Sequence, residues 1–113
     1  MDTTQAVDKL AALAQETRLR IFRLLVEQGP QGVHAGAISG ALAIPPATLS
    51  FHVAHLARTG LVTSRQEGRF IFYAASFAAM DELIAYLTDN CCQGRQCLPK
   101  TAAASSTRRR KAA

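Results

Sequence analysis

Residues 45–60, PPATLSFHVAHLARTG, decide how this chain reads. Proline is tolerated before a helix or in its first turn but not deeper, so Pro45 and Pro46 mark a helix start. Leu49, Val53 and Leu56 recur at four and three residues and make the apolar face of a helix over Pro46–Thr59. Gly60 suits the C-cap. Just upstream, about Ala35–Ala43, lies a short helix that offers Ile38 and Leu42 to a core, while Gly36 and Gly40 lower its intrinsic preference. Two helices this close, the second short and presenting small polar groups, have the helix-turn-helix layout.

Working outward, a first helical stretch covers about Thr4–Ala14, with Val7, Leu10, Ala11 and Ala14 on one stripe. A second covers about Gln15–Glu27, with Leu19, Phe22, Leu25 and Val26 as its apolar face, and Gly29-Pro30 stops it. After Gly60 the period changes to 2 over Leu61–Ala74. Glu67-Gly68 supplies a turn, and Phe70 and Phe72 alternate with Ile71 and Tyr73 on the returning strand. A hairpin directly after a helix-turn-helix is the order of a winged helix. The last helix, about Ser76–Asp89, has Ser76 as N-cap. The fold class is therefore mostly α with a small β-hairpin, a winged helix-turn-helix. The terminal helices carry more apolar surface than a small core requires. Val7, Leu10, Phe77, Met80, Leu83, Ile84 and Leu87 are accordingly predicted to form the interface of a two-fold homodimer, the commonest assembly.

A length of 113 residues fits one domain, here residues 1–97, followed by a flexible basic tail over 98–113. The formal net charge is +5, but residues 1–100 hold nine Lys or Arg against eight Asp or Glu. The excess comes from Arg108, Arg109, Arg110 and Lys111 in a Thr/Ala/Ser-rich segment, a composition that reads as disordered. Bulk basicity is thus weak grounds for nucleic-acid binding, and placement must decide. No apolar run approaches the roughly 18 residues of a membrane span. The polar start MDTTQAVDK has no signal-peptide core, so no membrane partner and a cytoplasmic location are expected. No CxxC stands at a helix start and no group is evidently placed to activate a nucleophile, which argues against an enzyme.

A recognition helix needs short donors and acceptors near its N-terminus. Thr48 and Ser50 suit that need, or are ordinary first-turn residues. Phe51 suits a thymine methyl, or packs between helices. His55 and Arg58 can reach the DNA backbone. His52, at the edge of the apolar face, is either a half-buried histidine satisfied by a neighbour or a DNA contact. Arg65 and Arg69 on the hairpin suit phosphate or minor-groove contact. His34 has no evident partner.

All three cysteines, Cys91, Cys92 and Cys97, fall within seven residues, in DNCCQGRQCLP. Their polar surroundings make a poor core, and an odd count of intracellular thiols argues against a structural disulfide. Structural zinc normally takes four ligands, and no histidine lies nearby to complete the set. Three thiolates suit a soft ion with a lone pair, such as trivalent arsenic or antimony. Gly94 lets the loop turn back, Arg95 favours thiolates and Asp89 opposes them. Thiol redox sensing and an incidental cluster are the alternatives.

The stretches ETRLRIFRLL (16–25), ATLSFHVAHLARTGLV (47–62) and RQEGRFIFY (65–73), in this order and spacing, resemble the arsenic-responsive branch of the winged-helix metalloregulatory repressors. The resemblance spans about residues 5–97. It implies a homodimer on an imperfect palindrome of double-stranded operator DNA, released by an inducer so that detoxification genes are transcribed. It makes Pro46–Thr59 the recognition helix, Leu61–Ala74 the wing, and Thr4–Ala14 with Ser76–Asp89 the dimer interface. This chain departs from the pattern in three places. Gln15 stands where many relatives cap with aspartate. His34–Leu42 lacks the cysteines of the best-known arsenic sensors. The histidine–carboxylate pattern of the zinc sensors is missing around Asp81–Asn90. Sensing therefore falls to Cys91, Cys92 and Cys97, as in a variant class with a C-terminal three-cysteine site. The function expected is a repressor released by trivalent arsenic or antimony. The alternative is the same fold sensing oxidation or another soft metal, namely cadmium, lead or zinc.

Overall fold

A computed structural model describes residues 1–90, and the elements follow in the order α1 (Thr3–Leu13), α2 (Glu16–Gln28), β1 (Val33–His34), α3 (Ala35–Leu42), α4 (Pro46–Arg58), β2 (Val62–Glu67), β3 (Phe70–Ala75) and α5 (Phe77–Leu87). The five helices fall where their apolar periods place them. Each end has a chemical cause. Asp2 and Gln5 form a reciprocal capping box on α1. Gln15, the weaker cap expected on α2, does cap it, its side-chain oxygen accepting from Arg18 N at 2.8 Å. Ser76 accepts from Ala79 N at the start of α5. At the end of α4, Gly60 adopts φ +84. Gly60 N then donates to Ala57 O and Leu61 N to Leu56 O, a Schellman closure that buries Leu61 completely.

The helix pair α3–α4 is bent by 110° across a three-residue break, within the range of a helix-turn-helix. The turn runs through Ala43 at φ 56, a left-handed conformation in a residue that carries a Cβ. Ile44 follows, buried, its N–H donating to Ser39 O at 3.0 Å.

The core gathers around α2 and α4. Ile21, Phe22 and Leu25 meet Ile38, Leu49, Val53, Leu56 and Leu61. The expected α2 stripe needs one correction. On α2 it is Ile21 that is fully buried, whereas Leu19 is exposed. On α1 the inward residues are Ala6 and Ala12, and Val7 and Leu10 face outward. Small alanines let α1 lie close to the domain and leave its larger side chains on the outside.

The expected strand pair is a three-stranded antiparallel sheet in the order β1-β3-β2. β1 pairs Val33 with Tyr73 and His34 with Phe72, and two residues are too few to show a period in sequence. Gly32 admits this third strand, because a Cβ on it would lie 2.9 Å from Tyr73 O. Among the described residues no single helix is long and apolar enough to cross a membrane. The first 90 residues of the predicted 1–97 domain are described, and the predicted 98–113 tail lies outside the described residues.

Two substitutions test this packing by urea denaturation at fixed protein concentration. Leu56→Ala empties a fully buried site and is expected to cost about 2–5 kcal/mol. Ala43→Gly relieves the left-handed turn. Its net gain is expected to be about 0.5–1 kcal/mol once the extra chain entropy of glycine is subtracted.

Candidate nucleic-acid interface

Helix α4 is held by its inner face. Leu49, Val53 and Leu56 are buried, so at 100° per residue Ala47, Phe51, Ala54 and Arg58 are turned to the opposite side. Thr48 and Ser50 are exposed on the flanks near the N-terminus. Phe51 is 67 % exposed, the most of any large apolar side chain among the described residues. Among the described residues it therefore does not pack between helices. Its ring meets that of His52 edge-on, 5.2 Å between centroids.

His52 and His55 are half-buried beside this face. Arg18, which sequence reasoning did not single out, ties three helices together there. Its Nε donates to Ala12 O at 2.6 Å, at the end of α1, and its Nη1 lies 3.3 Å from His52 Nδ1 on α4. A guanidinium only donates, so Nδ1 accepts and the imidazole is the neutral form. Burial and then the Arg18 charge hold His52 below its ordinary value of 6.5. His55 is also lowered, by burial and then by Arg18, Arg58 and His52. Asp8 of α1 lines the adjoining cleft with Ala11, His55, Arg58 and Thr59, and is its only carboxylate. The threonine–arginine pair at 17–18 was visible in sequence, but its partners lie 6 and 34 residues away.

The two hairpin arginines have separate fates. Arg65 braces the sheet. Its Nε donates to Glu67 Oε2 at 2.5 Å and its Nη1 to Gln31 O at 2.8 Å, and the guanidinium lies 4.7 Å from the centroid of the Phe72 ring. Arg69 sits at the β2–β3 tip beside Gly68, exposed, with no hydrogen bond or ion pair among the described residues. His34, left without a partner in sequence, stacks edge-on against Phe70 and Phe72 at 4.9 and 5.7 Å.

A second face lies on the terminal helices. Val7 and Leu10 of α1 and Ile84 and Leu87 of α5 are all more than two-fifths exposed. Thr3 and Tyr86 join the two helices through a hydroxyl–hydroxyl hydrogen bond. Phe77 and Met80 are half-buried against the core, and Leu83, 6 % exposed, points into the chain's own interior with little surface left for a partner. Cys91, Cys92 and Cys97 lie outside the described residues.

The helix-turn-helix domain family matches residues 13–65, from the end of α1 into the wing. The chain is 34 % identical over 95 residues to the transcriptional activator HlyU of Vibrio cholerae serotype O1, covering 84 % of this chain and 85 % of HlyU. The HlyU structure from Vibrio cholerae N16961 superposes with a TM-score of 0.62 at 36 % identity, over 77 % of this chain and 97 % of that one. This chain belongs to the ArsR family of transcriptional regulators. HlyU has also been solved in a form described as reduced, with a TM-score of 0.61 at 36 % identity over 75 % of this chain and 90 % of that one. A structure described as a possible transcriptional regulator for arsenical resistance matches with a TM-score of 0.63 at 29 % identity, over 71 % of this chain and 80 % of that one. The domain of Mb0332 from Mycobacterium bovis, described as a homodimeric winged helix-turn-helix and a possible ArsR-family regulator, matches with a TM-score of 0.61 at 27 % identity, over 85 % of this chain and 89 % of that one. The winged helix of this regulator is thus the family's DNA-binding fold.

Because folding lowers the His52 value, the unfolded chain binds more protons below pH 6.5. The stability owed to neutral His52 is complete above 6.5 and is lost as pH falls through the depressed value. Urea midpoints should therefore drop between neutral pH and about pH 5, and His52→Gln should shrink that drop. The arginines separate in a second pair of measurements. Arg65→Ala is expected to lower the melting temperature. Arg69→Ala should leave it unchanged while weakening DNA binding across sequences and reducing the salt slope by about one.

Proposed function

We propose that this ArsR-family regulator is a homodimeric repressor. It occupies a palindromic double-stranded operator in the cytoplasm and leaves it when trivalent arsenic, or antimony, binds Cys91, Cys92 and Cys97. The observation that carries the DNA-binding half is the outward face of α4 in a 110° helix-turn-helix, with the hydroxyls of Thr48 and Ser50 and the cations Arg58 and Arg69 around it. Dimerisation is supported by the unpartnered apolar side chains Val7, Leu10, Ile84 and Leu87 on two touching helices, and by a homodimeric relative. Half-sites must present themselves about 34–36 Å apart, so a two-fold axis through these helices sets the operator spacing. Repression by occlusion needs only these two surfaces; HlyU is named a transcriptional activator, so the sign of control is what the reporter assay below decides.

The arsenic reading rests on chemistry of the donor set: three soft thiols within seven residues, no fourth ligand nearby, and a relative associated with arsenical resistance. The cysteines follow α5 directly, and α5 carries Ile84 and Leu87 on its outer face. Drawing three sulfurs onto one ion would alter the end of that helix and hence the spacing of the two α4 helices. A coupling of 1–3 kcal/mol lowers DNA affinity by roughly 5–150-fold. A second reading, release by oxidation of the same thiols, is supported by a relative, HlyU, having a structure described as reduced.

The test is fluorescence anisotropy of the reduced chain on its own upstream DNA, titrated with arsenite, with zinc, cadmium, lead and peroxide in parallel. Release at one arsenite per subunit, with the thiols protected from alkylation, is the expected result. Cys97→Ser should bind DNA as tightly as the parent and lose the response. Release by peroxide alone would replace the inducer and keep the fold's role. A promoter-reporter assay gives the sign of control, with repression expected in the absence of inducer.

A further inference from the structure

We infer that the outer face of α4 reads the 5-methyl group of thymine through Phe51, so that each operator half-site places a T·A pair, with its methyl in the major groove, under this ring. The inference rests on the DNA-binding reading above and names the bases it selects.

The argument starts from what α4 lacks. Over Pro46–Arg58 the helix contains no Asn, Gln, Asp, Glu or Lys. Adenine is normally read by the paired groups of Asn or Gln, and cytosine by a carboxylate accepting from N4. Neither is present. Arg58 could read guanine, but it is the last residue of the helix, at the end away from the N-terminal turns that approach base edges. What those turns present is Ala47, Thr48, Ser50 and Phe51, and one turn on Ala54.

Phe51 stands at the centre of this face with small residues on either side along the helix. Ala47 and Ala54 leave the ring standing clear, 67 % exposed, with only the edge-on contact to His52 as an aromatic neighbour among the described residues. A phenyl ring has no hydrogen-bonding group, so among base edges it distinguishes only the apolar one, and the thymine methyl is the one apolar group the major groove displays. Charge settles the kind of occupant. Arg58 and His55 lie on the same helix and Arg69 stands at the wing tip, a set suited to phosphates on either side of a groove. Asp8, in the cleft behind His55 and Arg58, is the nearest opposing charge on α1.

The experiment uses the full chain and a library of random-sequence duplexes. Selected half-sites are expected to share a T·A position. The selected duplex is then remade with deoxyuracil for thymine, which removes the methyls and keeps every base pair. Loss of affinity of about fourfold for each methyl contacted is expected, hence about 15-fold across two symmetric half-sites. Phe51→Ala should bind the thymine duplex more weakly, discriminate little between thymine and uracil, and keep the wild-type salt slope, because no phosphate contact is lost. Phe51→Leu, still apolar, should keep part of the discrimination. Equal affinity of the wild type for both duplexes would overturn the inference alone and leave Phe51 as a contact for a partner protein. Undiminished discrimination in Phe51→Ala would overturn it as well, since the methyls would then be read elsewhere. Absence of salt-dependent affinity for any duplex would remove the DNA-binding reading and this inference together.

Discussion

Everything outward on this molecule depends on one inward contact, the burial of Leu49, Val53 and Leu56 of α4 against Ile21, Phe22 and Leu25 of α2. Apolar burial has no preferred direction, but a helix has only one stripe at spacing four and three, so packing that stripe orients the other three faces. The 110° turn before α4 and the Schellman closure after it hold the helix at both ends. A helix held only by its ends could rotate, and its outer residues would then address the groove in no fixed register. Arg18 adds a polar clamp on the same rotation by reaching the end of α1 and His52 of α4 from one guanidinium.

The charge distribution follows from these contacts more than from the count of basic residues. Arg20 donates to Leu42 O, Arg23 pairs with Glu27 on an exposed helix face, and Arg65 is held by Glu67, Gln31 and Phe72. An exposed pair such as Arg23–Glu27 contributes little stability, typically 0–1 kcal/mol, but its carboxylate partly offsets the positive charge at that place. Arg58 and Arg69 have no such partners among the described residues and stand at the end of α4 and at the wing tip. A near-neutral folded body can therefore present a basic edge where the recognition helix lies.

The second exposed face has the opposite character. On α1, alanines fill the inward positions, so the larger Val7 and Leu10 are displaced to the outside, beside Ile84 and Leu87 of α5. Leaving four such side chains in water has a cost that a second copy of the chain would remove. The apolar face of α5 ends at Leu87, and the three cysteines begin four residues further along the sequence, at Cys91.

Much of this was legible in the order of the residues. The prolines at 45–46, the recurrence of Leu49, Val53 and Leu56, and the turn at Glu67-Gly68 were sufficient for the helices, the hairpin and the winged-helix order. Each is a local signal, written within one or two turns of chain. Three features were not legible because they depend on contacts distant in sequence. The strand β1 exists only because Phe72 and Tyr73 lie alongside its two residues. Arg65 was legible only as a wing cation, and its bracing of the sheet was not, since Gln31 approaches it from 34 residues away. Leu83 looked like an interface residue and belongs to the core, because α5 docks with that side inward. The amino-acid sequence by itself determined which faces are apolar, where each helix starts and stops, and which thiols stand together. Only the tertiary structure decided which apolar stripe is left outside and which cations stay unpaired, because each group's surroundings are set by chain segments that its own neighbourhood in sequence does not contain.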